Sequence, residues 1–271
     1  MRSTVGERQR GGLPDALAPA STERLTTPPV FFSPDAALAG DRITLTGPEG
    51  RHAATVRRLT AGERVDVTDG DGHLAECVVV GTDPGRLELS VLRKLTAARP
   101  NPRVTVVQAI LKGDRAELAV ELMTEVGVDV IVPWAAQRCV ARWLRDREQK
   151  ALDRWRSAAR EAAKQARRPW FPQVTGQART ADVSDRVRAA SLAVLLDPAA
   201  RPDLASVRLP PAGDVVLVVG PEGGVSPAET DALTQAGAVS ARLGPTVLRG
   251  STAAAVAAAV VLSRSGRWRS D

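Results

Sequence analysis

Val215-Val216-Leu217-Val218-Val219-Gly220-Pro221-Glu222-Gly223-Gly224-Val225-Ser226-Pro227-Ala228-Glu229 is the stretch whose reading decides the fold. Its first five residues are an unbroken apolar run rich in valine, the pattern of a strand buried on both faces of a parallel sheet. Glycine and proline then break the run. Ser226-Pro227-Ala228-Glu229 supplies an N-cap serine, proline at the first helical position and glutamate three residues after the cap, so a helix starts there. A strand, a glycine-rich loop and a helix in this order put backbone N–H groups at the carboxyl edge of the sheet, where α/β proteins take ligands. The glycines also have a purely conformational reading, as turn residues that need positive φ. The loop fits neither GxGxxG nor GxxxxGK[ST], which argues against a dinucleotide or a Walker-type triphosphate.

The same rhythm extends in both directions. Downstream, the helix ends near Gly237 and a short strand at 241–243 leads into Leu243-Gly244-Pro245-Thr246-Val247-Leu248-Arg249, before Ser251 or Thr252 opens an Ala-rich helix. Two such loops, if on adjacent strands, can enclose a flat base with main-chain groups. Upstream lie a strand at 191–196 ending in Asp197-Pro198, a long helix at 145–167, a strand at 129–133, a helix carrying Leu118, Leu122 and Val126 up to Gly127, and a strand at 104–111. Alternation of this kind predicts a mostly parallel α/β sheet. Residues 96–102, with Arg99-Pro100-Asn101-Pro102, read as a linker. Before it, short β-like runs at 42–45, 64–68, 75–80 and 86–92, with one helix at 50–59, predict a small β-barrel or sandwich. The domains so read are a disordered tail at 1–29, a β-domain at 30–96 and an α/β domain at 103–266.

Composition narrows the function. The 271 residues carry 25% charged and 44% hydrophobic side chains, the proportions of a globular protein. The longest strongly apolar run, 253–262, is half of the roughly 20 residues a membrane-spanning helix needs, and the early arginines precede no signal-peptide core. A cytoplasmic setting without membrane is expected. Cys77 and Cys139 sit in no CxxC or Cys/His pattern, so neither a disulfide framework nor a metal site is expected. Charge is the strongest cue. Residues 138–170 hold eleven Lys and Arg against four Asp and Glu, a net of +7 where the entire chain has +6. Nine of the eleven are Arg, whose planar guanidinium fits phosphate oxygens bidentately, which points to a nucleic acid; local pairs on a solvated helix face are the plainer alternative.

At this level of detail the chain resembles a known family. Gly220-Pro221-Glu222-Gly223-Gly224 followed by Ser226 and Glu229, then Leu243-Gly244-Pro245 with Leu248-Arg249, resembles the C-terminal signature of SPOUT-class RNA methyltransferases, and more narrowly of the RsmE family. The likeness runs from about Phe31 to Leu262 and includes His52, Val56, Arg58, Gln108, Lys112-Gly113, Glu121, Glu125-Val126-Gly127, Arg138-Cys139, Gln165, Arg168 and Pro172. It implies an N-terminal PUA-like β-barrel, a C-terminal α/β domain tied in a deep trefoil knot, a homodimer, S-adenosylmethionine as cofactor, and methylation of N3 of one uridine in 16S rRNA of the 30S subunit. The chain departs from the family at one point, with Gly250-Ser251-Thr252 where Thr-Glu-Thr is common, so a carboxylate at 251 is missing.

Carried over by position, the cofactor pocket comprises Leu195 and Leu196, the loop Val219, Gly220, Pro221, Glu222, Gly223 and Gly224, and Leu243, Gly244 and Leu248. Uracil N3 is protonated at neutral pH, so methyl transfer requires loss of that proton or stabilisation of the uridine anion, and a guanidinium does the second. The expected catalytic residues are Arg249, Arg168 and Glu222. The expected RNA contacts are Arg57, Arg58, Lys112, Arg138 and Arg168. Two other readings stand beside this one: a related SPOUT enzyme acting on tRNA or on a ribose 2′-hydroxyl, and a non-catalytic RNA-binding ribosome-assembly factor.

Overall fold

The computed structural model describes residues 27–34 and 40–268. Most of the expected tail, residues 1–26, lies outside the described residues. Its last part does not behave as a tail, because the Pro29 carbonyl accepts from Asp66 N–H at 2.9 Å and the Pro28 carbonyl accepts from the Arg167 guanidinium.

Five strands form the N-terminal sheet: β1 (Val30–Phe32), β2 (Arg42–Leu45), β3 (Arg64–Thr68), β4 (His73–Asp83) and β5 (Arg86–Thr96), in the order β1-β3-β4-β5-β2. Only β1 and β3 pair in parallel. The β4–β5 hairpin is longer than the apolar alternation suggests, since two bulges keep the strands paired beyond their buried stretch. Where sequence predicts one helix over 50–59, there is a short helix, α1 (Gly47–Arg51), running into a single π-helical turn at His52–Val56. Gly50 fixes this packing, because a Cβ there would lie 2.4 Å from the Gly85 carbonyl oxygen. Phe31, Ile43, Val65, Cys77, Leu87 and Leu89 fill the interior.

The larger sheet has six strands, β6 (Arg103–Ala109), β7 (Val130–Trp134), β8 (Gln173–Val174), β9 (Leu192–Leu196), β10 (Asp214–Val219) and β11 (Val239–Ala241), all parallel in the order β11-β9-β10-β6-β7-β8. Helices α2 (Arg115–Val126), α3 (Arg145–Gln165), α4 (Thr180–Ala189), α5 (Pro227–Gln235) and α6 (Gly250–Arg264) cover it. Alternation along β10 shows why both faces need cover. Val215, Leu217 and Val219 join one apolar cluster with Trp155, Met123 and Ala254, while Val216 and Val218 join another with Val183, Leu195 and Leu233. Strand β8 and helix α4 have no counterpart in the sequence reading. Two residues are too few to show a strand period, and α4 buries only Val183, Ser184 and Val187.

The two sheets meet along the C-terminal end of α3 and the segment after it. Lys164 Nζ donates to Glu49 Oε1 at 2.7 Å, Arg167 Nη2 to Asp66 Oδ2 at 2.5 Å, and the Arg160 guanidinium lies 5.0 Å from the Phe32 ring centroid. Phe171 stacks against Phe32 with centroids 5.6 Å apart. Asp66 is buried enough that desolvation, against the pull of Arg167, holds its carboxyl above the ordinary value. Trp170 closes the seam, its indole N–H donating to the carbonyls of Ala97 and Ala98 in the linker. Gly72 is in contact with the Trp170 ring at φ +97°, and a Cβ there would meet ring atoms at 2.5 Å. Gly72→Ala therefore combines left-handed strain, about 1–3 kcal/mol by itself, with a clash against an aromatic ring. Urea unfolding should show a loss of at least that size, and an unchanged midpoint would contradict the seam as described.

Candidate active site

The carboxyl ends of β9, β10 and β11 open into one cavity of about 470 Å³. That is within the range of about 300–1,000 Å³ usual for small-molecule sites. Each loop enters it for a local reason. After β10, Gly220 turns the chain where a Cβ would collide with Val225 at 2.6 Å, and Gly224, at φ +73°, closes the turn by donating its N–H to the Pro221 carbonyl at 2.8 Å. After β11, Gly244 at φ +146° carries the second loop round to the start of α6. Helix α5 starts beside the first loop on the expected capping box, with Glu229 N–H donating to Ser226 Oγ at 3.3 Å.

Ten of the eleven residues expected in the pocket line this cavity. Leu195 and Leu196 come from β9, Val219, Gly220, Pro221, Glu222 and Gly224 from the first loop, and Leu243, Gly244 and Leu248 from the second. Gly223 does not line it. Its missing Cβ would face Arg138 at 3.4 Å, and its carbonyl accepts from Arg138 Nη1 at 3.3 Å, so Gly223 is the outer side of the turn. The cavity also takes in Asp197, Pro198, Val225, Thr230, Thr246, Val247, Gly250 and Ala253, most of them the immediate neighbours of residues the motifs had marked.

Arg249 and Glu222 are both exposed and both at the cavity. Arg168 is not. It is largely buried against the end of α2 and the start of β7, its guanidinium donating to the carbonyls of Thr124 (2.9 Å) and Val128 (2.7 Å) and to Asp129 Oδ1 (3.4 Å). Burial brings its pKa down to about 10, with the Asp129 carboxylate resisting and Arg267 assisting. A guanidinium spent on three internal acceptors can reach neither a base in the cavity nor a phosphate outside, which removes Arg168 from both expected roles. Sequence position, one residue past the basic helix, gave no sign of this. Arg57, Arg58, Lys112 and Arg138 are exposed. Arg58 has φ 54°, an uncommon conformation for a residue with a side chain.

One residue read from the sequence as part of the capping box and of the family signature ties the first loop to its surroundings. Glu229 is 6% exposed, and its carboxylate accepts from Gln137 N–H (2.8 Å), Thr180 Oγ1 (3.0 Å), Ser226 N–H (3.2 Å) and Ser226 Oγ (2.8 Å). Three separate segments thus converge on two oxygens: the loop after β7, the start of α4 and the glycine-rich loop. Burial by itself would raise this carboxyl, yet the donors outweigh it and hold the pKa below 4.5. Behind Gly250, the fully buried Gln108 donates from Nε2 to the Ala109 carbonyl at 3.0 Å while its Oε1 has no partner. Neither cysteine lines the cavity; both are buried, which pushes Cys77 up to about 12 and raises Cys139 too. Among the described residues no group of three His, Cys, Asp or Glu side chains is placed to hold a metal ion, and no helix is long and apolar enough to cross a membrane.

Known proteins share this arrangement. An RNA methyltransferase domain family matches residues 99–262, and an RNA methyltransferase PUA domain matches residues 45–92. The ribosomal RNA small subunit methyltransferase E of Mycobacterium tuberculosis is 50% identical over 233 residues, 84% of this chain and 89% of that protein. The chain belongs to the ribosomal RNA small subunit methyltransferase E family. Within the RsmE family the Bacillus subtilis protein is 26% identical, covering 84% of this chain and 93% of its own length. The Neisseria gonorrhoeae enzyme, solved bound to S-adenosyl methionine, superposes with a TM-score of 0.76 at 26% identity over 88% of this chain and 98% of that one. A Legionella pneumophila methyltransferase solved in complex with SAM gives 0.79 at 26% identity, with the same coverage.

Glu229→Gln replaces one acceptor oxygen by an amide that faces donors, a change expected to cost about 1–3 kcal/mol. Because the folded-state pKa is depressed, the wild-type advantage is complete above pH 4.5, the unfolded value, and fades as pH falls below it. Thermal denaturation of both proteins from pH 7 to pH 3 should show the gap closing. A gap that is constant or widens would contradict the assignment.

Proposed function

We propose that the protein transfers the methyl group of S-adenosylmethionine to N3 of a uridine in 16S rRNA, acting on the small ribosomal subunit in the cytoplasm. The observation that carries the reading is the cavity between the two glycine-bearing loops, with Arg249 at its edge, in a chain of the RsmE family. The fit to an adenosyl group is chemical. Leu195, Leu243 and Leu248 offer apolar surface for a flat heterocycle, while Gly220, Gly224, Gly244 and Gly250 expose main-chain polar groups without side chains in the way. When bound there, the cofactor supplies an electrophilic methyl group.

The residues of the chain do the rest. Arg249 is the N-cap of α6, so its guanidinium and the positive end of the helix favour negative charge at the same place. Both stabilise a uracil that has lost its N3 proton, in the manner of an oxyanion hole. Glu222, exposed at the cavity, is suited to accept that proton or to orient Arg249. No carboxylate at 251 takes part, since Ser251 occupies that position and is buried. Gly250 has little room for the family's larger residue, because a Cβ there would lie 3.0 Å from Leu111 Cδ2.

Arg57, Arg58, Lys112 and Arg138 belong to the same proposal as RNA contacts. A homodimer is supported by the exposed Val140 and Leu144 in the loop that Glu229 and Arg138 tie to the site. The trefoil knot is supported by the strand order β11-β9-β10-β6, with α6 returning from the last strand to pack on β6 and β10.

Arg249→Ala should lower methylation of 30S subunits by about 10²–10³-fold while S-adenosylmethionine affinity by calorimetry changes little. Near-normal turnover would remove Arg249 from the mechanism. Mass spectrometry of 16S rRNA from cells lacking the protein should show one missing 3-methyluridine, and an unaltered set of modified nucleosides would refute the substrate assignment.

A further inference from the structure

A second cavity, of about 490 Å³, lies at the seam between the two sheets, at the opposite edge of the large sheet from the first. Arg103 opens β6 at this edge, and Gln108, beside Val219, stands near the other. Five residue steps along a parallel strand separate them, about 17 Å. The lining combines an aromatic ring with cations. The Arg99 guanidinium lies over the Trp170 ring, 5.3 Å from its centroid, and is exposed. Arg103 reaches into the same space and donates to Gln173 Oε1 at 3.2 Å.

Three carboxylates also border the cavity, and two of them are already engaged. Asp69 accepts from the N–H groups of Asp71 and His73 and lies 2.6 Å from His73 Nδ1, and Asp129 is held by Arg168 and Arg267. Asp71 is exposed and offers an acceptor. Counting Arg168 and Arg267, which hold Asp129, four guanidiniums stand against three carboxylates here, next to a stacked indole.

We infer that this seam cavity is a nucleotide-binding cleft for single-stranded RNA, in which a base stacks on the Arg99–Trp170 pair and its phosphate meets Arg103. Guanidinium planes and aromatic rings are the surfaces on which unpaired bases stack, and the volume suits one nucleotide. The nucleotide held here is not the methyl acceptor. It is another residue of the same strand or of the neighbouring rRNA, so the cleft acts as an anchor that sets the reach of the substrate. The inference rests on the proposed action on RNA.

The test uses the full chain and a fluorescein-labelled single-stranded 12-nucleotide oligouridylate. Arg99→Glu with Arg103→Glu should weaken binding at least tenfold and flatten the salt dependence by about 0.7 in log–log slope, the one phosphate contact that Arg103 makes to a single strand. Arg186→Glu with Arg188→Glu, an equal charge change on exposed residues of α4, should weaken it by less than threefold. Calorimetric affinity for S-adenosylmethionine should stay as in the wild type. If R99E/R103E melts early because the Gln173 contact is lost, Arg99→Ala by itself, expected to weaken binding about threefold, decides the matter. With 4-thiouridine in the probe, photo-crosslinks should map to the peptide containing Trp170. Equal losses in both double variants, or no crosslink to that peptide, would overturn the cleft. A wild-type protein that binds S-adenosylmethionine but no RNA would overturn the function proposed above as well, whereas an intact wild-type RNA affinity with unaffected cleft variants overturns only the cleft.

Discussion

The catalytic edge of this protein depends on one buried carboxylate. Glu229 belongs to a helix, yet its oxygens are shared by the glycine-rich loop, the loop after β7 and the first turn of α4. A loop rich in glycine has little intrinsic shape, and its conformational freedom is costly to remove. Four donors meeting one anion in a dry place remove it. Arg138 adds a second tie between the same two loops through the Gly223 carbonyl. The glycine-rich loop is thereby tied at both its outer turn and its helix end.

The large sheet was legible because parallel strands buried on both faces leave continuous apolar runs, and each of the five longest appears within two residues of its expected bounds. The capping box at Ser226 was equally plain, as the chemistry of a helix start is local. What could not be read is what depends on distant partners. Strand β8 exists because Gln173 and Val174 add to the edge of β7. Glu229 looked like a cap because its other partners lie 49 and 92 residues away.

The concentration of positive charge at 138–170 teaches the same lesson about electrostatics. As a string of letters it suggests a surface for a polyanion, but folding spends much of it internally. Arg160, Lys164 and Arg167 fasten the two sheets together, Arg154 pairs with Glu117, and Arg168 is sealed against carbonyls and Asp129. A sum over sequence cannot tell a cation that faces water from one that closes a seam. Among the described residues, Arg138 and Arg142 in the loop beside the glycine-rich turn, and Arg147, Lys150 and Arg156 along the helix, stay exposed.

Glycine at four places in the wall of the first cavity has a further consequence. Where those glycines form the wall there is no side chain for selection to alter, and two of them stand at positive φ, where any replacement distorts the chain. A small molecule shaped to the backbone there would leave few routes to resistance, since the changes that evict it also deform the loops that give the recess its form.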